Sequence, residues 1–316
     1  MNSRPEPENT GPRLTVLCKP LGAALLAAGC LLVPAAHANT DTLSDLLDGS
    51  GSAGLGFMVR AEQSPYVDGG VRYDLMPLYL YEGERLFLHA SRVGVKVFKD
   101  EAQRVDLFID QRFEGFSDDR LPAGLAGMAE RGSGLDAGVS WRYRQPWGTV
   151  QAEFVQDVSG FSRGREVRLG YSHDWRSGRL TLRPSLTVAM RDARLNNYYY
   201  GVRPDEVTAT RPAYAAGRGI NTTLGLYAAY ALSDGWRLLG GVSRTDLSGK
   251  VKDSPIVRKG PQTAVYFGAA YDFGTHKQHW AEESSPTHVK VLYGKSTEDG
   301  CHLAKIITLT CASTAK

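Results

Sequence analysis

"LTLRPSLTVAM", residues 180–190, places an apolar side chain at every second position. The apolar set is Leu180, Leu182, Pro184, Leu186, Val188 and Met190, and the residues between them are Thr181, Arg183, Ser185, Thr187 and Ala189. A period of two is typical of a β-strand with one face against an apolar environment and the other against water. The fold of this chain depends on whether that apolar environment is a protein core or a lipid bilayer.

The same alternation recurs along most of the chain and predicts eleven strands. They cover residues 54–62, 69–81, 84–98, 103–113, 134–144, 147–157, 164–175, 178–191, 218–231, 235–246 and 262–273. Several of these segments are 10 to 14 residues long. A tilted strand needs about 9–11 residues to cross a bilayer, whereas strands in soluble proteins average about 5–6 residues. The strand lengths therefore favour an all-β fold, an antiparallel up-and-down transmembrane β-barrel.

The predicted connections alternate between short and long. Tight turns lie at residues 99–102, 145–146, 177–178 and 233–235, and long loops lie at 114–133, 192–217 and 247–261, with a shorter one at 158–163. Outer-membrane barrels have this asymmetry, with short periplasmic turns and longer outer loops. Aromatic residues flank three of the tight turns, which suits an interfacial girdle, although β-propensity alone also places aromatics in strands. These are Trp141, Tyr143, Trp147, Trp175 and Trp236.

Charged residues occupy the polar side of several strands at mid-strand positions. They are Arg104, Asp106, Asp110, Arg112, Arg142, Arg144, Arg168 and Arg183. In a membrane barrel such residues line the lumen and pair with one another, while the apolar side meets lipid. Inward Arg–Asp pairs can plug a small barrel as readily as they line a channel.

The strand count conflicts with the parity expected of a bacterial barrel, which has an even number of strands. Division of residues 84–98 into two short strands near Ser91-Arg92 gives twelve strands, which is the preferred number. Exclusion of one N-terminal segment gives ten.

The two ends of the chain are predicted to lie outside the barrel. Basic residues, a short apolar stretch and an A-x-A site describe a signal peptide, residues 1–38, cleaved after Ala38. Residues 39–53 form an N-terminal periplasmic segment, residues 54–274 the barrel, and residues 275–316 a periplasmic C-terminal extension. Together with the strand lengths and the asymmetric loops, the signal peptide predicts that the mature protein lies in the outer membrane, in contact with its lipid.

The composition and the hydropathy pattern exclude several other classes of protein. The formal net charge is only +3, and no basic stripe indicates a nucleic-acid partner. No segment after the signal approaches 18 consecutive apolar residues, so no transmembrane helix is predicted. Cys301 and Cys311 remain after cleavage and suggest one disulfide within a small C-terminal hairpin. A loosely ordered extension is the alternative.

Three motifs in the second half of the chain occur in a recognisable order. "NNYYYGV" (196–202) is followed by "RPAYAAGRGIN" (211–221), and "DSPIV" (253–257) precedes the last strand, "VYFGAAYDFG" (265–274). On these motifs the chain from about Gly54 to Phe273 resembles the MipA/OmpV family of outer-membrane proteins. The matching loop residues are Tyr199, Tyr200, Gly201, Val202, Tyr214, Gly217, Gly219, Ser254, Pro255, Ile256 and Val257.

The resemblance implies a scaffolding role. A member of this family holds a lytic murein transglycosylase and a penicillin-binding murein synthase together at the cell envelope. Other members are linked to adhesion, osmotic stress and antibiotic susceptibility. The tyrosines of the motifs could form a recognition surface, but a loop folded into the barrel mouth with tyrosine as its core is favoured.

Catalysis, metals and cofactors find little support in the sequence. Ser172 and His173 are neighbours in one strand and point to opposite faces, so they cannot act together as nucleophile and base. No acidic or cysteine ligand is spaced with His276 and His279 to bind a metal. No cofactor is predicted. The main hypothesis is a non-catalytic scaffold, and a pore or uptake channel, an adhesin and a lipid-acting hydrolase are the alternatives.

Overall fold

A computed structural model describes residues 53–117 and 121–273 of the chain. Thirteen strands are present in this part. They are β1 (Ala53–Gln63), β2 (Val71–Glu82), β3 (Leu86–His89), β4 (Arg92–Lys99), β5 (Gln103–Arg112), β6 (Gly134–Gln145), β7 (Gly148–Asp157), β8 (Arg165–Ser172), β9 (Trp175–Ser177), β10 (Leu180–Arg191), β11 (Gly219–Ala231), β12 (Trp236–Asp246) and β13 (Gln262–Asp272).

The strands form one closed antiparallel barrel. Apart from β8 and β9, which do not pair with each other, each strand pairs with its sequence neighbours. Strand β13 also pairs with β1, so the sheet returns on itself. Strands β8 and β9 both pair with β10 and form one interrupted strand of the wall. The interruption at residues 173–174 lies opposite Pro184, which has no N–H to donate to the ladder. The wall therefore has twelve strands, and the predicted fold class and preferred strand number are confirmed.

The segment 84–98 is not one continuous strand, and its predicted division is confirmed. Strands β3 and β4 pair as a hairpin from His89↔Arg92 to Leu86↔Val95. Ala90 forms the turn with a φ of +48°, a left-handed conformation that is uncommon for residues other than glycine. This hairpin supplies the strand that restores even parity.

The outer face of the barrel is an apolar belt. Exposed apolar side chains alternate with buried residues on most strands, as in β5, where Leu107 and Ile109 are exposed and Phe108 is buried. A group of outward tryptophans and tyrosines lies at the short-turn end: the Trp141 and Tyr143 rings stack at 5.9 Å, and those of Trp147 and Tyr171 at 6.3 Å. An outward apolar band with an aromatic rim is the surface that a bilayer requires.

The helical elements lie in the loops at the other end, which we term the mouth. Helix α1 spans Ala193–Tyr200, helix α2 spans Gly249–Lys252, and 3-10 turns occupy Ala123–Leu125 and Pro204–Glu206. Asp192 caps α1 by accepting a hydrogen bond from the Leu195 N–H at 2.8 Å. Within the described residues, no helix has the length and apolar character to cross a membrane.

Several predictions fall on other parts of the chain. Cleavage after Ala38, the segment 39–53 apart from its last residue, the extension 275–316 and the Cys301–Cys311 disulfide lie outside the described residues.

Candidate functional site: a mouth packed over a charged lumen

Buried ion pairs cross the lumen between strands that are not neighbours. Arg92 on β4 donates to Glu153 on β7 at 2.7 Å. Arg104 on β5 donates to Glu82 on β2 at 2.7 Å. Because each pair skips at least one intervening strand, these side chains extend across the interior. Charges buried in this way need partners, and the pairing ties together strands that lie three positions apart in the wall.

A second set of ion pairs lies nearer the mouth. Arg191 at the end of β10 donates to both carboxylate oxygens of Glu114, at 2.9 and 2.7 Å. Arg112 donates to Glu166 at 3.2 Å and also pairs with Asp136. Bidentate arginine–carboxylate pairs are both strong and geometrically specific. The end of β5 and Glu114 just beyond it are therefore tied to β6, β8 and β10, which lie up to four strands away around the wall.

The eight charges assigned to the lumen from the sequence lie on the inner face to different extents. Arg104, Asp106, Arg112, Arg142 and Arg183 are buried, and Asp110 and Arg168 are half-buried. Arg144 differs: it follows the inward alternation of β6 but is exposed, because it lies one residue from the end of the strand at the short turns.

The opposite part of the inner wall is apolar, which the sequence analysis did not predict. Inward side chains of β1, β2, β11, β12 and β13 form one buried cluster. Its members are Met58, Met76, Leu78, Leu80, Tyr227, Ala229, Leu239, Ala264, Tyr266 and Ala270. The lumen thus combines a charged wall on β4 to β10 with a largely apolar wall on β1, β2, β11, β12 and β13, in which Arg60 of β1 and Asp74 of β2 form one buried ion pair at 2.9 Å.

The long loops share a second buried core over the mouth. Its buried members come from the loops 64–70, 113–133, 192–218 and 247–261, which leave the wall at well-separated points around the ring. They are Tyr66, Phe116, Leu125, Met128, Leu195, Tyr199, Tyr200, Val202, Ala216, Leu247, Val251, Ile256 and Val257. A core common to loops from different sides of the barrel must span its opening.

The family-motif residues meet in this core. Ser254 donates to the carbonyl of Tyr200 at 2.7 Å, and Tyr66 donates to the carbonyl of Tyr199 at 3.2 Å. Val202 and Tyr214 form a two-way backbone bridge. Gly201, Ile256 and Val257 are buried, while Tyr214, Gly217, Gly219 and Pro255 are half-buried. The tyrosines therefore act largely as packing residues, with burial raising the pKa of Tyr66 and of Tyr199.

One buried ion pair of the mouth was not found from the sequence. Arg131 in the β5–β6 loop donates to both oxygens of Glu206, in the β10–β11 loop, at 2.8 and 2.7 Å. Burial opposes ionisation of Glu206, but hydrogen bonds from Arg131 and from the Arg203 backbone lower its pKa. Both residues lie in irregular loops, where no periodicity marks a partner.

The arrangement offers little for catalysis in the described residues. His173 contacts the carbonyl of Trp147 at 3.2 Å, and His89 pairs with Glu82 at 2.6 Å inside the lumen. Among the described residues, no three His, Cys, Asp or Glu side chains are grouped to hold a metal ion. The described residues enclose cavities of about 610 and 100 Å³ under the mouth loops.

A closed twelve-stranded antiparallel barrel with an apolar outer belt and a charged inner wall defines an outer-membrane β-barrel protein. Residues 53–273 match the family described as "MltA-interacting protein MipA", and the chain belongs to that family. The protein is located in the outer membrane.

Several known proteins are similar to this chain over most of its length. Outer membrane protein Omp26La of Vibrio anguillarum is 30% identical over 202 residues, which are 64% of this chain and 79% of that protein. The MltA-interacting protein of Escherichia coli (strain K12) is 24% identical over 251 residues, which are 79% of this chain and 98% of that protein. Among solved structures, the NanC porin covers 69% of this chain and 100% of its own, at 9% identity and a TM-score of 0.43.

Proposed function

We propose that this protein is a non-catalytic scaffold of the outer membrane. It would hold a lytic murein transglycosylase and a penicillin-binding murein synthase together on its periplasmic side. The supporting observation is the packed interior: cross-lumen ion pairs and a loop core over the mouth suit a rigid binding platform better than a wide channel. The relative named "MltA-interacting protein", which is matched over nearly its whole length, supports the transglycosylase partner.

The short-turn end is the surface that such partners would contact. It presents exposed side chains of both signs, including Lys99 and Glu101 on the β4–β5 turn and Arg176 and Arg179 at the β9–β10 turn. Its turns are short and tied by hydrogen bonds, as at Asp100, which accepts from the Ala102 and Gln103 N–H groups at 2.8 and 2.6 Å. A rigid, charged rim gives orientation and specificity to a binding partner.

The test is affinity purification from envelopes solubilised in mild detergent, after cross-linking in cells. The tagged protein is expected to recover a lytic transglycosylase and a murein synthase. A charge reversal of the rim, Arg176→Glu with Arg179→Glu, is expected to reduce that recovery. The matched control is Arg194→Glu with Lys259→Glu, which changes the same net charge on exposed residues at the mouth. Recovery of neither enzyme by the unmodified protein contradicts the scaffold role.

A pore is the second candidate, because the charged wall and the cavities under the mouth provide polar space inside the barrel. Planar-bilayer recording separates the two functions. A scaffold with this packed interior is expected to give no steady conductance. Steady single-channel steps from the purified protein would favour the pore.

A further inference from the structure

The barrel wall is incomplete beside β2. This strand runs from Val71 to Glu82, but it pairs with β3 only through Leu80↔His89, Tyr81↔Leu88 and Glu82↔Phe87. On its other side it pairs with β1 along its whole length. Among the described residues, no strand pairs with the free edge of β2 from Val71 to Tyr79. The reason is the short β3–β4 hairpin, which turns at Ala90 while β2 continues toward the mouth.

The gap lies at the depth of the apolar belt. Tyr73 pairs with Ala61, and Ala61 pairs with Val265 on the intact wall. Val265 is exposed to 52% and Tyr73 to 70%, and both point outward. On β2 itself, Val71 and Leu75 are also exposed apolar residues, at 50% and 57%. The outward face of β2 beside the gap therefore continues the apolar belt, and the open edge faces lipid.

An open edge at this depth is costly without a partner. About half of the backbone groups of Val71 to Tyr79 point away from β1, and an unsatisfied backbone group in hydrocarbon costs several kcal/mol. Pro77 reduces the number of donors, since proline lacks an N–H and is found in edge strands. The remaining groups require hydrogen-bonding atoms from something that enters the gap.

Behind the gap lies the larger cavity, of about 610 Å³. Its lining includes Val71, Arg72 and Tyr73 on one bank of the gap, and Gln111 and Phe113 on the other. A cavity of this size accommodates a small organic molecule. Lining by residues of both banks means that the cavity and the gap are continuous.

The charge balance of the cavity restricts its occupant. Arg72 donates to Asp74 at 3.0 Å and to Glu62 at 3.5 Å. Arg131 is engaged by Glu206. Both cations of the lining already have carboxylate partners. The lining also contains two carboxylates, Glu114, which pairs with Arg191, and the exposed Glu130, so its formal charges balance. Tyr66 and Phe116 supply an aromatic wall with ring centroids 5.0 Å apart. This lining suits an uncharged molecule that has an apolar body and hydrogen-bonding groups.

We propose that the gap between β2 and the end of β5 is a lateral entrance, through which an uncharged amphiphile of the lipid phase enters the cavity. Its apolar body lies along Tyr73 and Phe113, and its polar groups hydrogen-bond with the free edge of β2. This binding site is separate from the scaffold role and does not depend on it.

Photo-crosslinking of the full-length mature protein in phospholipid vesicles tests the proposal. The probe is a monoacylglycerol that carries a diazirine in its acyl chain. Adducts are expected at Gln111 and Phe113. An excess of unlabelled monoacylglycerol should abolish these adducts but should not change the adducts at the lipid-facing Leu107. Thr223 and Thr245 are the internal controls, because they line the smaller cavity behind fully paired strands and should remain unlabelled.

A longer hairpin tests the route of entry. Insertion of four strand-forming residues between Ala90 and Ser91 extends β3 and β4 along the free edge of β2, and is expected to remove the adducts at Gln111. The same insertion at Gly160, in the 158–164 turn, is the matched control and should keep them. Adducts that persist in the longer-hairpin variant would place the entrance at the mouth and overturn the lateral route.

The unmodified protein decides the proposal even if the insertion prevents folding. Absence of competable adducts at Gln111 and Phe113 overturns it. Absence of adducts together with strong amide protection from Val71 to Tyr79 would instead assign the free edge to a strand, from a second copy or from another part of this chain.

Discussion

Arg131 and Glu206 join two loops of the mouth through a buried ion pair, although 75 positions separate them in the chain. Their side chains are 0% and 2% exposed. Glu206 also accepts a hydrogen bond from the Ala129 N–H at 3.1 Å. One carboxylate therefore fixes the β5–β6 loop against the β10–β11 loop, and it controls how firmly the mouth is packed.

Substitution Glu206→Gln is expected to loosen the mouth locally while the barrel stays folded. It leaves the buried Arg131 charge without its counter-ion, and loss of one partner of a buried pair costs about 3–5 kcal/mol. Hydrogen exchange at the Ala129 amide measures the effect as a lower protection factor. Asp205→Asn, at the exposed neighbouring position, should leave that protection unchanged. Equal protection in Glu206→Gln and the unmodified protein would show that the pair does not hold the loops.

The same pair predicts a loss of mouth stability in acid. Hydrogen bonds from Arg131 and the Arg203 backbone, against the effect of burial, hold the pKa of Glu206 below its ordinary value of 4.5. A carboxyl whose pKa is lower in the folded state than in the unfolded state stabilises the fold. This contribution is complete above the pKa of the unfolded state and is lost as the pH falls through the pKa of the folded state. Protection at Ala129, corrected for intrinsic exchange, should therefore decline below about pH 4.5. In Glu206→Gln this decline should disappear.

The strand pattern was the most predictable part of the molecule. Residues 134–144 were predicted as a strand and Gly134–Gln145 forms one, and 262–273 corresponds to Gln262–Asp272. The signal is strong because every strand has lipid on one face and the lumen on the other. Departures come from single residues that act on the hydrogen-bond ladder. Pro184 interrupts the strand opposite it, and Ala90 turns the β3–β4 hairpin.

Contacts within the loops could not be predicted in the same way. Tyr66 packs edge-to-face on Phe116, and Arg131 pairs with Glu206, but no repeat in the sequence relates these positions. Long-range pairs in irregular backbone depend on the final path of several loops. The sequence contains one indication of the gap beside β2. Pro77 lies within a predicted strand, and a proline in a strand indicates a sheet edge.

Heat-modifiability on a gel tests the barrel directly. A folded outer-membrane barrel is expected to resist SDS when unheated and to migrate differently from the boiled form. The reason is that the strands around most of the wall are hydrogen-bonded to a neighbour on both sides. The measurement compares boiled and unboiled outer-membrane fractions. A protein that fractionates with the soluble periplasm and shows no shift would mean that the apolar faces pack against each other.

The apolar belt can be tested with one charge placed at its centre. Leu107 is 50% exposed and its strand neighbours Val95 and Val139 are exposed apolar residues as well. An arginine on the lipid face near the bilayer midplane costs about 2–4 kcal/mol, so Leu107→Arg should lower the free energy of unfolding in vesicles by that amount. Val207→Arg is the matched control, because Val207 is 46% exposed but lies in the β10–β11 loop outside the wall. On a water-facing surface both substitutions would be nearly neutral. The free energy of unfolding of both variants is measured by denaturant titration, with the unboiled gel band as readout. A lower value for Leu107→Arg than for Val207→Arg assigns the face of Leu107 to lipid. Equal values would contradict the apolar belt.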